Sequence, residues 1–226
     1  MTTDTTTKER PTTWAGQRDA LSRLVWGRVA SLQKQYCRPD PTPPAKAALA
    51  QLRRAAADDG TWRGVSMDAF TVDMYTHVPV ELYPLTGNGK ERRFTDDPTK
   101  AEIAVRTAMT LYAIHQQSRR EPIHGGTRPG TALARLAWGD GNETAVRRRF
   151  AALVTADGYP ELIHHLRTMV RMLRDQGIAM DYGQLTGDLF TWQYRRSRDG
   201  VRLSWSRDFE NHIAPRKSDS QGDPTT

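Results

Sequence analysis

Three consecutive arginines, Arg147, Arg148 and Arg149, stand inside the apolar-periodic stretch ETAVRRRFAALVTAD at residues 143–157. Guanidinium groups grip phosphate through paired N–H donors and stack on flat rings, so the chemistry offered is polyanion binding rather than bond making. Arg167, Arg171 and Arg174 recur nearby at steps of four and three, which places them on one ridge of a helix. Between Ala145 and Gln176 these six bases face only Asp157, Glu161 and Asp175. A solvated helix normally alternates its signs from turn to turn. Like charges along one ridge repel, and a phosphate backbone would relieve that repulsion while releasing counterions. Arg119, Arg120 and Arg128 add to the set in the basic, glycine-rich loop RREPIHGGTRPG at 119–130, where Glu121 is the single acid.

Bond-making chemistry finds no comparable pattern. The stretch TGNGKERR suggests a phosphate loop, but that motif needs glycine where Pro84 stands and Ser or Thr where Glu91 stands. The histidines at 77, 115, 124, 164, 165 and 212 form no HExxH, and His164 and His165 point roughly 100° apart on a helix, so they do not chelate one ion as an i, i+4 pair would. Asp58 with Asp59, and Asp96 with Asp97, sit at helix ends, where carboxylates complement the dipole or mark a turn. No nucleophile elbow and no Gly-x-Gly-x-x-Gly turn occurs. The sequence therefore predicts a protein that is not an enzyme, with no catalytic residue, no metal site and no cofactor.

Composition points the same way. Lys+Arg 33 against Asp+Glu 26 leaves a net charge of +7, and only six of those bases are lysine. That balance favours nucleic acid or an anionic surface as partner. Cys37 is the only cysteine, which rules out an intrachain disulfide and fits a reducing cytoplasm. No apolar run is long enough to span a bilayer, and the Thr-rich start has no apolar core of a secretory signal. The expectation is a cytoplasmic chain with no membrane partner.

The elements that must carry the arginines follow from periodicity. Leu21, Leu24, Val25, Val29, Leu32 and Tyr36 recur at helical steps from Trp14 to Tyr36, and RPDPTPP ends that helix. A second helix covers 44–58, closed by Gly60, and a short one is expected around Met67–His77. Over 96–118, Asp97 is the expected cap and Pro98 the first helical residue, with Ala101, Val105, Ala108, Leu111, Tyr112 and His115 on one face. Helices at 131–138, 143–157 (capped by Asn142), 161–177 (stopped by Gly177) and 181–193 follow. Gly183 and Gly187, one turn apart in the last of these, weaken it unless something packs closely there. Residues 199–209, DGVRLSWSRDF, alternate Val201, Leu203 and Trp205 with polar residues and read as a strand after an Asp-Gly turn.

The fold class is thus all-α, a compact multi-helix bundle with loose tails. Its divisions are a flexible tail at 1–12, an all-helical domain at 13–212, either undivided or split into two lobes within 61–97, and a second tail at 213–226. On the helix at 143–157, Val146, Phe150, Leu153 and Val154 form the buried stripe, Arg147 and Arg149 flank it, and Arg148 points away. Trp138, Trp192 and Trp205 stand where core packing accounts for them. A helix-turn-helix built from 161–177 and 181–193 is disfavoured, because its recognition helix would carry Asp181 and Asp188 and no base. A helical scaffold that binds only protein, its arginines being compositional, is the alternative from another class.

An ordered set of segments then narrows the choice: LAQLRRA (49–55), TALARLA (131–137), AVRRRFAALVTAD (145–157), LIHHLRTMVRMLR (162–174), DYGQLTGDLFTWQ (181–193) and RLSWSRDF (202–209). Together they resemble the CasB family, the small subunit of the type I-E CRISPR Cascade surveillance complex, over residues 45–210. The resemblance implies an all-helical, non-catalytic protein, two copies of which pack head to tail among the other Cascade subunits. It also implies contact with the guide RNA and target DNA, and help in holding the displaced strand of the R-loop in antiviral defence. Carried over by position, the family's basic surface falls on Arg53 and Arg54, on Arg147, Arg148 and Arg149, and on Arg167. Residues 61–94 and the long first helix do not match the shorter family members.

Overall fold

The computed structural model describes residues 13–57, 98–138 and 143–213, which form eight α-helices and no strand. They are α1 (Trp14–Tyr36), α2 (Pro43–Ala57), α3 (Lys100–His115), α4 (Pro129–Arg135), α5 (Glu143–Val154), α6 (Tyr159–Gln176), α7 (Tyr182–Trp192) and α8 (Arg198–His212). The expected tail at 1–12, all of the expected tail at 213–226 except Ile213, the helix around Met67–His77, the division within 61–97, and the Gly60 and Asn142 signals lie outside the described residues.

The all-α expectation holds, and its apolar stripes bury as the periodicity requires. Leu21, Val25 and Val29 of α1, and Leu162, Leu166, Met169, Val170 and Leu173 of α6, are buried in one continuous core. α3 is its axis. Its Ala101, Ala104, Ala108 and Ala113 let neighbours approach closely, and it packs against α1, α2, α6 and α7. Thr99, not Asp97, caps it: the Thr99 hydroxyl accepts from the Glu102 amide while the Glu102 carboxylate accepts from the Thr99 amide. This reciprocal arrangement satisfies two donors, which a lone aspartate could not match.

One element changes type. Residues 198–212 are helix α8, not a strand. Val201, Trp205 and Phe209 follow the i, i+4 rule and are buried, whereas Leu203, which made the alternation, is 50% exposed. The helix α4 starts at Pro129 and ends at Arg135, earlier than 131–138, because Pro129 supplies the first-turn residue. Ile213 still belongs to the core.

Both glycines of α7 meet a close neighbour. A Cβ on Gly183 would lie 2.6 Å from the Ser22 carbonyl oxygen and 2.7 Å from Trp26 Cβ, and one on Gly187 would lie 2.5 Å from Ser22 Oγ. α1 therefore crosses α7 at a distance only glycine permits. Gly177 ends α6 with φ +68°, the left-handed stop expected of it.

Two ionisable groups, the half-buried Asp188 and the fully buried His115, act on stability with opposite signs. Asp188 Oδ2 accepts the Trp205 indole N–H at 2.7 Å, and burial pushes its carboxyl up to about 7 against that bond. A group that holds its proton more tightly when folded stabilises the fold at low pH and loses that contribution as pH rises. For Asp188 the loss runs from the ordinary carboxylate range, about 4, up to about 7. His115, whose Nδ1 lies 2.9 Å from the Tyr182 hydroxyl, is held neutral by burial, down to about 4. Its contribution is instead lost as pH falls from about 6.5 towards 4. Asp188→Asn keeps an acceptor for Trp205 and leaves His115 alone. The difference in unfolding free energy between variant and parent should therefore grow in the variant's favour from pH about 4 to about 7, read by urea denaturation across that range. A difference that does not change with pH would contradict this account of Asp188.

Candidate nucleic-acid interface

The arginines of α5 and α6 divide by what holds them. α5 packs on α6 through Val146, Phe150 and Leu153, and Phe150 stacks on Phe209 of α8 with ring centroids 3.8 Å apart. Arg148 is exposed and points away from this stripe, and it makes no ion pair among the described residues. Arg147 is half-buried between two carboxylates, with Nε 2.8 Å from Glu143 and Nη1 2.7 Å from Glu210 of α8. Those carboxylates raise its pKa further, so it is a fixed cation already matched in charge. Arg149 lies along the core edge and donates to the Ala145 carbonyl at 3.4 Å.

On α6, Arg171 is exposed, Arg167 is half-buried, and Arg174 pairs with Asp175 at 2.8 Å. Arg119 reaches the end of the same helix, its Nη2 donating to the Asp175 carbonyl at 2.6 Å. A cation there complements the helix dipole and satisfies one of its last carbonyls. Arg119, Arg171 and Arg174 thus meet around the final turns of α6. Of the cations on these two helices, Arg148 on α5 and Arg171 on α6 stand nearest solvent.

The loop that carries Arg119 is well tied. Gln33 of α1 accepts from the Ile123 and His124 amides at 2.9 and 2.7 Å and donates to the His124 carbonyl at 3.1 Å. Met180 donates to the Ile123 carbonyl at 3.0 Å, in an isolated parallel bridge between His124 and Met180. Arg120 lies over the Tyr36 ring at 5.4 Å. Arg128 is turned elsewhere, with Nε 2.7 Å from Asp208 and Nη2 3.1 Å from the Ser204 hydroxyl, both on α8. Arg54 is exposed and Arg53 half-buried on α2, which packs on α3 and α1, so this pair stands on an element apart from α5 and α6.

The helix-turn-helix rival meets a steric objection beyond charge. α7, its recognition helix, buries Tyr182, Gly183, Leu185, Thr186, Gly187, Leu189, Phe190, Thr191 and Trp192, and no face remains to enter a groove. Trp192 and Trp205 are core residues as expected, but Trp138 is 43% exposed, with its indole N–H donating to the His212 carbonyl at 2.8 Å. Four further arginines escape the periodicity argument. Arg198 and Arg202 are hidden by the strand reading of α8, and their guanidiniums donate to the Asp157 and Ala156 carbonyls at 2.7 and 2.6 Å, bracing the turn after α5. Arg23 and Arg196 are exposed and without an ion pair among the described residues. The signal for Arg23 is present in the polar face of α1, which reading for the core alone passes over.

With this geometry in place, comparison with known proteins gives a consistent result. CRISPR-associated protein Cse2 matches residues 48–209 as a family. Among solved structures, CasB from Thermobifida fusca is similar at 33% identity with a TM-score of 0.63, covering 86% of this chain and 98% of that one. That span is more than residues 48–226 alone could supply, so the likeness extends into the residues before 48, where the sequence reading expects no match for the long first helix. A CRISPR-associated protein of the Cse2 family from Thermus thermophilus shares the fold at 22% identity and a TM-score of 0.54, over 84% of this chain and 97% of that one. CasB from M. ruber does so at 20% identity and a TM-score of 0.52, over 87% and 94%. No curated protein sequence matches the chain.

Proposed function

Because the chain belongs to the Cse2 (CasB) family of CRISPR-associated proteins, we propose that it is a non-catalytic small subunit of a type I-E Cascade ribonucleoprotein in the cytoplasm. In this reading the exposed arginines of α5 and α6 act together as one basic ridge that holds the backbone of guide RNA, target strand and displaced strand, and so stabilises the R-loop. A second copy of the chain and the other Cascade subunits are its protein partners. Among the described residues no helix is long and apolar enough to cross a membrane.

The observation that carries the reading is that Arg148 on α5 and Arg171 on α6 are both exposed and neither is matched by a carboxylate among the described residues. Exchange of a DNA duplex for a guide heteroduplex is nearly balanced in energy, so a few backbone contacts decide whether the open state persists. Sequence-independent arginines suit that task, since base pairing supplies the specificity. The scaffold alternative draws on a different observation: Arg128, Arg147 and Arg174 are each engaged by a carboxylate of the chain itself. For those three, a structural role is sufficient.

Affinity purification of the chain from cells that express the whole CRISPR locus tests the assignment. The other Cascade subunits and a guide RNA should be recovered with it in constant ratio. Recovery of the chain alone, or with protein but no RNA, would contradict it.

A further inference from the structure

Away from the basic ridge, α1, α7 and the first turns of α8 enclose an open cleft of about 780 Å³, a volume usual for small-ligand sites. On its α1 wall, Trp14, Arg18, Ser22 and Trp26 stand at four-residue steps, one ridge of the helix. Trp26 is 50% exposed, so core packing does not account for it. It is nevertheless firmly mounted. Its Cβ presses on Gly183 at the α1–α7 crossing, and its ring meets that of His124 edge-on at 5.4 Å.

The charges around the cleft are unevenly matched. Arg18 is bound to Asp19 at 2.8 Å, and Arg128 to Asp208 at 2.7 Å. Asp181 accepts the Gln184 amide as the cap of α7, and Asp188 accepts the Trp205 indole. Of the three acids that line the cleft, Asp19 is paired with Arg18 and the other two are held by N–H donors, whereas Arg23 and Arg196 are exposed and make no ion pair among the described residues. An exposed, fixed indole in a cleft that also carries two guanidiniums without an ion pair among the described residues fits a ligand that is flat at one end and anionic at the other. A basic peptide would be repelled by the arginines, and an acidic one would leave the indole unused.

We propose that this cleft is a second nucleic-acid site, which takes one nucleotide of a single strand with its base on Trp26 and its phosphate on Arg23 and Arg196. The proposal rests on the nucleic-acid reading above but not on the α5–α6 ridge. Gly200 lines the cleft, whereas Glu210, which meets α5, lies ten residues on, about 15 Å along α8. A strand held at both places would be clamped at two separated points.

The test measures anisotropy of a fluorescein-labelled oligothymidylate with the full-length chain at low salt. Gly200→Glu is the most informative variant. Nothing lies within 4 Å of the added Cβ, and the first turn of a helix favours an acid, so the fold tolerates it while negative charge enters the cleft. It should weaken binding about tenfold with an undiminished thermal midpoint. Arg23→Ala with Arg196→Ala should reduce the steepness of log K against log salt by about two units. Trp26→Leu should weaken binding by a similar factor without changing that slope, because stacking is not ionic. Competition by thymidine monophosphate that requires the intact cleft would identify a free nucleotide as an additional occupant and support the site. Cleft variants that bind like the parent while Arg148→Ala with Arg171→Ala binds weakly would overturn the cleft and leave the ridge standing. Variants that keep strand binding but lose a Cascade subunit would make it a protein-docking site and overturn the proposal. A parent that binds no strand at low salt would overturn both readings.

Discussion

Trp205→Ala lowers the unfolding free energy of the chain by about 3–5 kcal/mol, the usual range for truncating a fully buried tryptophan. The indole is 1% exposed and lies where α8 packs against α4. That packing is tight: a Cβ on Gly130 of α4 would come 2.5 Å from the Trp205 carbonyl oxygen, so the two backbones nearly touch and the cavity has little room to collapse. The variant also takes the indole N–H from Asp188, whose Oδ2 it meets at 2.7 Å, leaving a partly buried carboxyl without its donor. Trp205→Phe separates the two effects, retaining most of the volume, with an expected cost of about 1–3 kcal/mol for the orphaned acceptor. Urea denaturation reads both. Since small domains are stable by roughly 5–15 kcal/mol, a loss of this size is a large share of the total. A loss below about 1 kcal/mol would mean that α8 contributes little to the core.

Arg148→Ala combined with Arg171→Ala weakens binding of single-stranded DNA at least tenfold at low salt and reduces the steepness of log K against log salt by about two units. Each lost phosphate contact removes roughly one unit of slope. Both side chains are exposed and neither carries an ion pair among the described residues, so the fold should be unaffected. Arg147→Ala provides the contrast. Its guanidinium is already matched by Glu143 and Glu210, and exposed pairs of this kind contribute about 0–1 kcal/mol, so the substitution should change both stability and slope less than the double variant does. An unchanged slope in the double variant would remove α5 and α6 from the interface.

How much of this is legible in the sequence depends on the reach of the signal. Helices α1, α3, α6 and α7 are readable because their apolar stripes follow a local period that tertiary structure has only to bury. Residues 198–212 mislead because Val201, Leu203 and Trp205 alternate over a short window, while the decisive step, Val201 to Trp205 to Phe209, spans two turns. Arg148 is set apart by its angle from the stripe of Val146, Phe150 and Leu153, and the structure agrees. The carboxylate that meets Arg147 is not foreseeable, since Glu210 is 63 residues away in sequence. Likewise, no local pattern indicates that Arg128 turns to Asp208 and Ser204 rather than joining Arg119. The glycine pair of α7 signals a close neighbour without naming it, and the neighbour, Ser22 with Trp26, is what builds the wall of the cleft.

The most direct test of the central claim is the salt dependence of strand binding by the unmodified chain. The account predicts binding of single-stranded DNA at low ionic strength, with log K falling linearly against log salt and a slope of at least about two units, one for each unpaired cation of the ridge. Absence of binding at low salt, or an affinity that does not change with ionic strength, would contradict it.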